Sequence, residues 1–169
     1  LSVGVNDTGH DVKFFGATAS RHMTWDESAD SLIISGDLDV NDGTIKLDGN
    51  YPVGTNNVAL GNTALDSLTS GTNNTALGSA ALTANTEGNE NTVVGHVALA
   101  ANTTGSSNTA FGRASLNANT TASYNSAYGT DSLQVNTTGG SNTAVGFRSL
   151  FANTTASNNT AVGYQAAYT

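Results

Sequence analysis

Four aromatic residues near the end of the chain recur at a fixed interval. Phe147 is followed by Phe151, and the same spacing returns in Tyr164 and Tyr168, each numbered 17 above its counterpart. Rings flanked by Asn and Thr suit sugar binding, because a flat apolar face can meet a sugar's C–H face while amides and hydroxyls meet its polar rim. The same interval also suits packing, with Phe147 stacked on Tyr164 and Phe151 on Tyr168 across adjacent segments of backbone. Packing is the simpler reading and is preferred; the surface or glycan site is the sharper one.

Other chemistry is harder to assemble. Asp37, Asp39, Asn41, Asp42 and Asp48 have the composition of a calcium loop. An EF-hand needs Gly at the sixth position and Glu at the twelfth, whereas Asp42 stands sixth and Gly43 seventh. A turn with solvated acids is therefore expected. His10, His22 and His96 are too scattered for metal-ligand spacing. There is no Gly-x-Ser-x-Gly elbow and no phosphate-binding loop. No catalytic residue, metal or cofactor is expected.

The elements that would position the aromatics show in the periodicity. Asn57, Asn74, Asn91, Asn108, Asn125, Asn142 and Asn159 follow one another at a constant interval of 17, with no insertion between them. Numbering each unit from its Asn, column 3 is Ala or Val, column 5 is Gly from Gly61 to Gly163, and column 8 is Ala or Ser. Column 4 holds Leu60, Leu77, Val94, Phe111, Tyr128, Val145 and Val162. Column 9 holds Leu65, Leu82, Leu99, Leu116, Leu133 and Leu150. Columns 12 to 15 mostly read N-T-T-G or N-T-T-A. Six units are complete and a seventh is cut short at Thr169.

Helix-pair repeats need roughly 30 residues or more, and a unit this rich in Gly, Asn and Thr makes a poor helix. A β-coil fits. Columns 2–4 read as a short strand, Gly turns the chain, columns 8–11 read as a second short strand, and N-T-T-G turns it back. Coils of equal length stack at about 4.8 Å, so seven make a rod about 34 Å long. Stacking sets each column above itself. The Asn and Thr columns become hydrogen-bonding ladders, and columns 4 and 9 become apolar stripes, in the core or between copies of the chain. The apolar content of each coil is thin, which favours an oligomer.

Residues 1–50 do not follow this register and are expected to form a small all-β module, with 51–56, including the only proline, as a junction and 57–169 as the repeat domain. Its strands are read at Val12–Phe15, Arg21–Trp25, Leu32–Ser35, Leu38–Val40 and Thr44–Leu47. Trp25 and Phe14 or Phe15 are expected as core anchors.

Composition narrows the function classes. The chain has 169 residues and a net charge of −8, so nucleic acid is not an expected partner. No apolar run approaches the roughly 20 residues of a membrane helix. Without cysteine there are no disulfides. The Asn-x-Thr sequons, such as Asn102-Thr103-Thr104 and Asn153-Thr154-Thr155, are by-products of the repeat. The chain starts at Leu1 and stops within a repeat, which reads as a piece of a longer polypeptide.

The phrase S-N-T-A-V-G at Ser141 to Gly146 resembles the head repeat of trimeric autotransporter adhesins, including a later Ala at Ala64, Ala81 and Ala98. That repeat is usually a few residues shorter. The resemblance implies a left-handed parallel β-roll built by three chains, hence a homotrimer. N-T-A-V-G-Y-Q-A at Asn159 to Ala166, together with Gly9 to Val40, also resembles repeats and modules of phage tail-fibre and other virion proteins. Together these imply an all-β, parallel β-solenoid segment of a trimeric phage fibre. It would sit on the virion surface, contact other virion proteins and serve attachment to a host-surface glycan or protein, without inserting in a membrane. The alternative is the head of a bacterial trimeric adhesin at the cell surface. A third reading, ice binding through Thr86, Thr103, Thr120, Thr137 and Thr154, is weaker still.

Overall fold

The computed structural model describes residues 55–169 and, ahead of them, three strand segments at 13–15, 22–26 and 31–35. The chain divides into two compact units, Leu1–Lys46 and Leu47–Thr169.

In the first unit β1 (Lys13–Phe15), β2 (His22–Asp26) and β3 (Ser31–Ser35) form an antiparallel sheet in chain order. Phe14 pairs with Met23, and Met23 with Ile34. These strands match the first three expected runs to within a residue at each end. The runs at 38–40 and 44–47, the acidic cluster from Asp37 to Asp48, His10 and the junction from 51 to 54 lie outside the described residues. So do the side chains of Trp25, Phe14 and Phe15.

The second unit is a parallel β-solenoid. Its strands are β4 (Val58–Leu60), β5 (Thr75–Leu77), β6 (Thr92–Val94), β7 (Thr109–Phe111), β8 (Ser126–Tyr128), β9 (Thr143–Val145) and β10 (Thr160–Val162). They pair in unbroken sequence order with no slip, so Ala59 faces Ala76 and Phe111 faces Tyr128. Each strand is columns 2–4 of one coil, as the periodicity predicts. Inter-coil hydrogen bonds continue far beyond the strand. The Gly78 N–H donates to the Leu60 carbonyl at 2.8 Å, the Ala80 N–H to Asn62 at 2.8 Å and the Thr86 N–H to Thr103 at 2.9 Å. Neighbouring coils thus pair along strand and turn alike, which is how short coils satisfy their backbone polar groups.

The glycine of column 5 is dictated by two constraints at once. Its φ lies at 127–139° throughout, outside the range L side chains adopt easily. A Cβ on Gly112 would also stand 2.6 Å from the carbonyl carbon and oxygen of Gly129 in the next coil.

The expected second strand at columns 8–11 is absent among the described residues; turns stand there instead. The Ala64 N–H closes back on the Gly61 carbonyl, and Asn85 closes on Leu82. Columns 7 and 9 are left-handed in every coil, with the six leucines at φ 48–54°. A strand cannot accommodate that conformation. It costs about 1–2 kcal/mol for a residue with a Cβ. Burial compensates, because Leu65, Leu82, Leu99, Leu116 and Leu133 are fully buried and a buried Leu is worth about 1.5–3 kcal/mol. Their N–H groups also bond to the next coil, as Leu99 does to Ser115 at 2.9 Å.

The core is a narrow column of these leucines against the column 3 alanines and Val93, with column 8 alongside. Where column 8 changes to Ser115, Ser132 and Ser149, each buried hydroxyl donates to the column 5 carbonyl of its own coil at 2.9–3.0 Å. Two buried Asn ladders complete the interior. In column 1, the Asn74 N–H donates to Asn57 Oδ1 at 2.8 Å, and Asn74 Nδ2 donates to the Gly88 carbonyl at 2.8 Å. In column 12, Asn102 Nδ2 donates to Asn85 Oδ1 at 2.8 Å and to the Gly105 carbonyl at 2.9 Å. Both ladders meet at the column 15 carbonyl, so the amides leave few buried polar atoms unpaired. The first coil has Leu68 in place of the column 12 Asn, and that ladder begins one coil later, at Asn85.

Candidate functional site

Columns 6, 7 and 10 follow the glycine turn, and apart from Ala114 and Asp131 their side chains are at least partly exposed. In coils six and seven the structure brings the four aromatics together. Phe147 and Tyr164 stack with ring centroids 5.5 Å apart, and Phe151 and Tyr168 stack at 5.1 Å, both with 17° between planes. The two stacks are joined by Arg148 at column 7. Its guanidinium carbon lies 5.0 Å from the Phe147 ring centroid and 5.3 Å from that of Phe151. Cations in this position over aromatic faces are attracted by the ring quadrupole.

This geometry bears directly on the two readings of the aromatics. Rings that stack on one another and carry a guanidinium have much of their flat faces covered within the protein. The arrangement is that of inter-coil packing. Tyr164, 73% exposed, is the ring most open to solvent.

Arg148 reaches further, to Asp131 at column 7 of the preceding coil. Its Nε donates to Asp131 Oδ2 at 3.3 Å, while Nη2 of Arg113 donates to Asp131 Oδ1 at 2.9 Å. One carboxylate therefore bridges three coils. The Asp131 side chain is only 3% exposed, whereas Arg113 and Arg148 are 57% and 38% exposed. The signal was present in the sequence: Arg113, Asp131 and Arg148 are three charges at intervals close to the repeat period, in a region otherwise almost free of charge.

The remaining candidates are placed as follows. The stripes expected at columns 4 and 9 part company. Column 9 is the core, whereas Leu60, Phe111, Tyr128, Val145 and Val162 of column 4 are 37–68% exposed on the outer sheet face. Leu77 and Val94 are half-buried there. Phe111 and Tyr128 stack at 6.2 Å. His96 is exposed at column 6, and His22 lies on β2. Asp66, Glu87 and Glu90 are exposed and occupy three different columns. Among the described residues no group of three or more His, Cys, Asp or Glu is placed to hold a metal ion. The column 13 threonines direct their hydroxyls to backbone: Thr86 Oγ1 donates to the Thr103 carbonyl and Thr103 Oγ1 to Thr120, both at 3.1 Å. The sequon residues Asn102, Asn119 and Asn136 are fully buried in the column 12 ladder, out of reach of glycosylation in the folded chain. A cavity of about 340 Å³ lined by Leu150, Asn153, Asn159 and Ala167 lies against the last coil and is formed by the same core and ladder columns.

No protein-family model, curated protein or solved structure matches this chain.

Proposed function

We propose that the chain is a stiff structural segment of a trimeric phage fibre, a virion appendage that serves host attachment. One observation carries this reading: the column 4 side chains line up on the outer face of the seven-stranded sheet and remain 37–68% exposed at five of seven positions. Contiguous apolar rows of this kind mark interaction surfaces. A second copy of the chain carries the same period, so each column 4 side chain would meet an equivalent one along the whole face. Covering the half-exposed side chains of such a row is worth roughly 5–10 kcal/mol per face. The threefold symmetry and the virion setting come from the resemblances in the sequence. The role is mechanical: rigid, uniformly paired coils project a surface, and repeated copies provide avidity. Catalysis has no part in it.

Light scattering tests the assembly. The wild-type chain is expected at three times its monomer mass, and Tyr128→Asp, which sets a charge in the row, is expected to shift it to monomer without loss of the β signal in circular dichroism. A wild-type chain that is a stable, monodisperse monomer overturns the proposal. Antibody labelling of intact phage particles in electron micrographs tests the location.

A further inference from the structure

We infer that Arg113 and Arg148 form a surface site for the oxyanion of an acidic saccharide, a carboxylate or phosphate borne on a sugar ring. This names a ligand class for the attachment role proposed above and rests on that reading.

Charge is the first ground. The chain is −8 overall, yet beyond Glu90 it holds one acid, Asp131, and two bases, Arg113 and Arg148. That stretch is therefore +1, and all three charges are at one place. The second ground is how the carboxylate is used. Asp131 is 3% exposed and turned into the protein, with each oxygen taken by a different guanidinium. Its charge is engaged in holding the two arginines, while their own side chains stay 57% and 38% exposed. Each bond uses one nitrogen of a guanidinium that carries five N–H donors. An excess of donors thus remains for a second anion.

Preorganisation is the third ground. Arg148 is fixed by its bond to Asp131 and by the Phe147 and Phe151 rings at 5.0 and 5.3 Å. A guanidinium already held in place loses less freedom on binding, and its planar fork matches carboxylate and phosphate oxygens. The surroundings fit a sugar rather than a bare ion. Tyr164 offers an exposed ring and hydroxyl at column 6, and Asn117 and Gln134 stand half-buried at column 10 of the adjacent coils. These columns lie past the glycine turn from the sheet face that the copies would share.

The test is calorimetric titration of the full chain with a glucuronate-containing tetrasaccharide, a neutral glucose tetrasaccharide and inorganic phosphate. Binding of the acidic sugar is expected, with the neutral sugar at least tenfold weaker and phosphate competing. Arg148→Gln is expected to weaken the acidic sugar at least tenfold and Arg113→Gln severalfold, with unchanged mass and circular dichroism confirming an intact fold at the temperature of the titration. Because Arg148→Gln also removes a partner of buried Asp131, the double variant Asp131→Asn/Arg148→Gln serves as a second check and is expected to lose binding equally. Equal affinity for neutral and acidic sugars, no binding at all, or full affinity in Arg148→Gln overturns the inference. A trimer that binds none of the probes defeats this site and leaves the fibre reading standing. A monomer that binds the acidic sugar does the reverse.

Discussion

Each coil has two sides that reach the same regularity by opposite means. On the strand side, columns 2–4, local preference and tertiary position agree. Thr, Ala and Val or an aromatic alternate across a three-residue strand, with the small residue inward, as in the exposed-buried-exposed pattern of β10. On the turn side, columns 7–9, they conflict. Leu, one of the least suited residues to a left-handed backbone, occupies φ 48–54° in six successive coils because its side chain fills the core. Stacked repeats tolerate such conflict because each coil is held by its neighbours as well as by its own torsions.

The strongest way to break that contrast is to give the turn what its backbone prefers and the core what it rejects. Leu116→Asn does both. Asn enters the left-handed region readily, which returns about 1–2 kcal/mol. It also removes a fully buried side chain whose truncation alone costs about 2–5 kcal/mol. A net loss of about 1–3 kcal/mol is expected, read as a lower urea midpoint. An unchanged or higher midpoint would mean that relief of the torsion outweighs the lost burial, so that burial does not account for Leu at column 9.

What could be read from the sequence follows the same division. The interval of 17, the glycine column and the strands at columns 2–4 were legible because propensity, period and burial coincide there. So were the aromatic pairs, since identical columns must stack. The turn at columns 8–11 was not. Its columns open on Ala or Ser followed by Leu, which reads as a short apolar strand, and nothing in a Leu announces a positive φ. Column 4 misleads differently. Its bulk draws the eye to the core, yet the strand's inward residue is column 3, Ala in six coils and Val93 in the third, and that column was the true mark of the inward face. The Arg113–Asp131–Arg148 bridge was legible only once the columns were aligned, because its members occupy columns 6, 7 and 7.

A smaller test sharpens the comparison at a turn position where burial gives little in return. Val97 at column 7 has φ 50°, unusual for a β-branched residue, and is only half-buried. Val97→Asn relieves the torsion without emptying the core, and the Val97 carbonyl still accepts from Asn117 Nδ2 at 2.8 Å. The variant is expected to gain about 1 kcal/mol, seen as a melting temperature a few degrees higher. A loss would mean that the Val methyls contribute more than their exposure indicates.

The smallest expected effect lies on the arc that returns to the strand, where a ladder has a gap. At column 16 each N–H donates to the side chain one coil on: Thr72 to Asn89 Oδ1 at 2.8 Å, Asn89 to Ser106 Oγ at 3.0 Å and Ser106 to Ser123 Oγ at 3.0 Å. Ser123 meets Gly140, which has no side chain to accept, and the series resumes from Gly140 to Ser157 at 3.0 Å. Gly140→Ser restores the missing acceptor and removes backbone freedom from the unfolded chain. A Cβ there would lie 3.1 Å from the Ser123 carbonyl oxygen, a tight contact that a shift of a few tenths of an ångström relieves. The two gains outweigh that strain, so about 0.5–1 kcal/mol of stabilisation is expected. Slower amide exchange at Ser123 separates a completed ladder from a purely entropic effect, and a destabilised variant would show that the coil spacing is too rigid to give way.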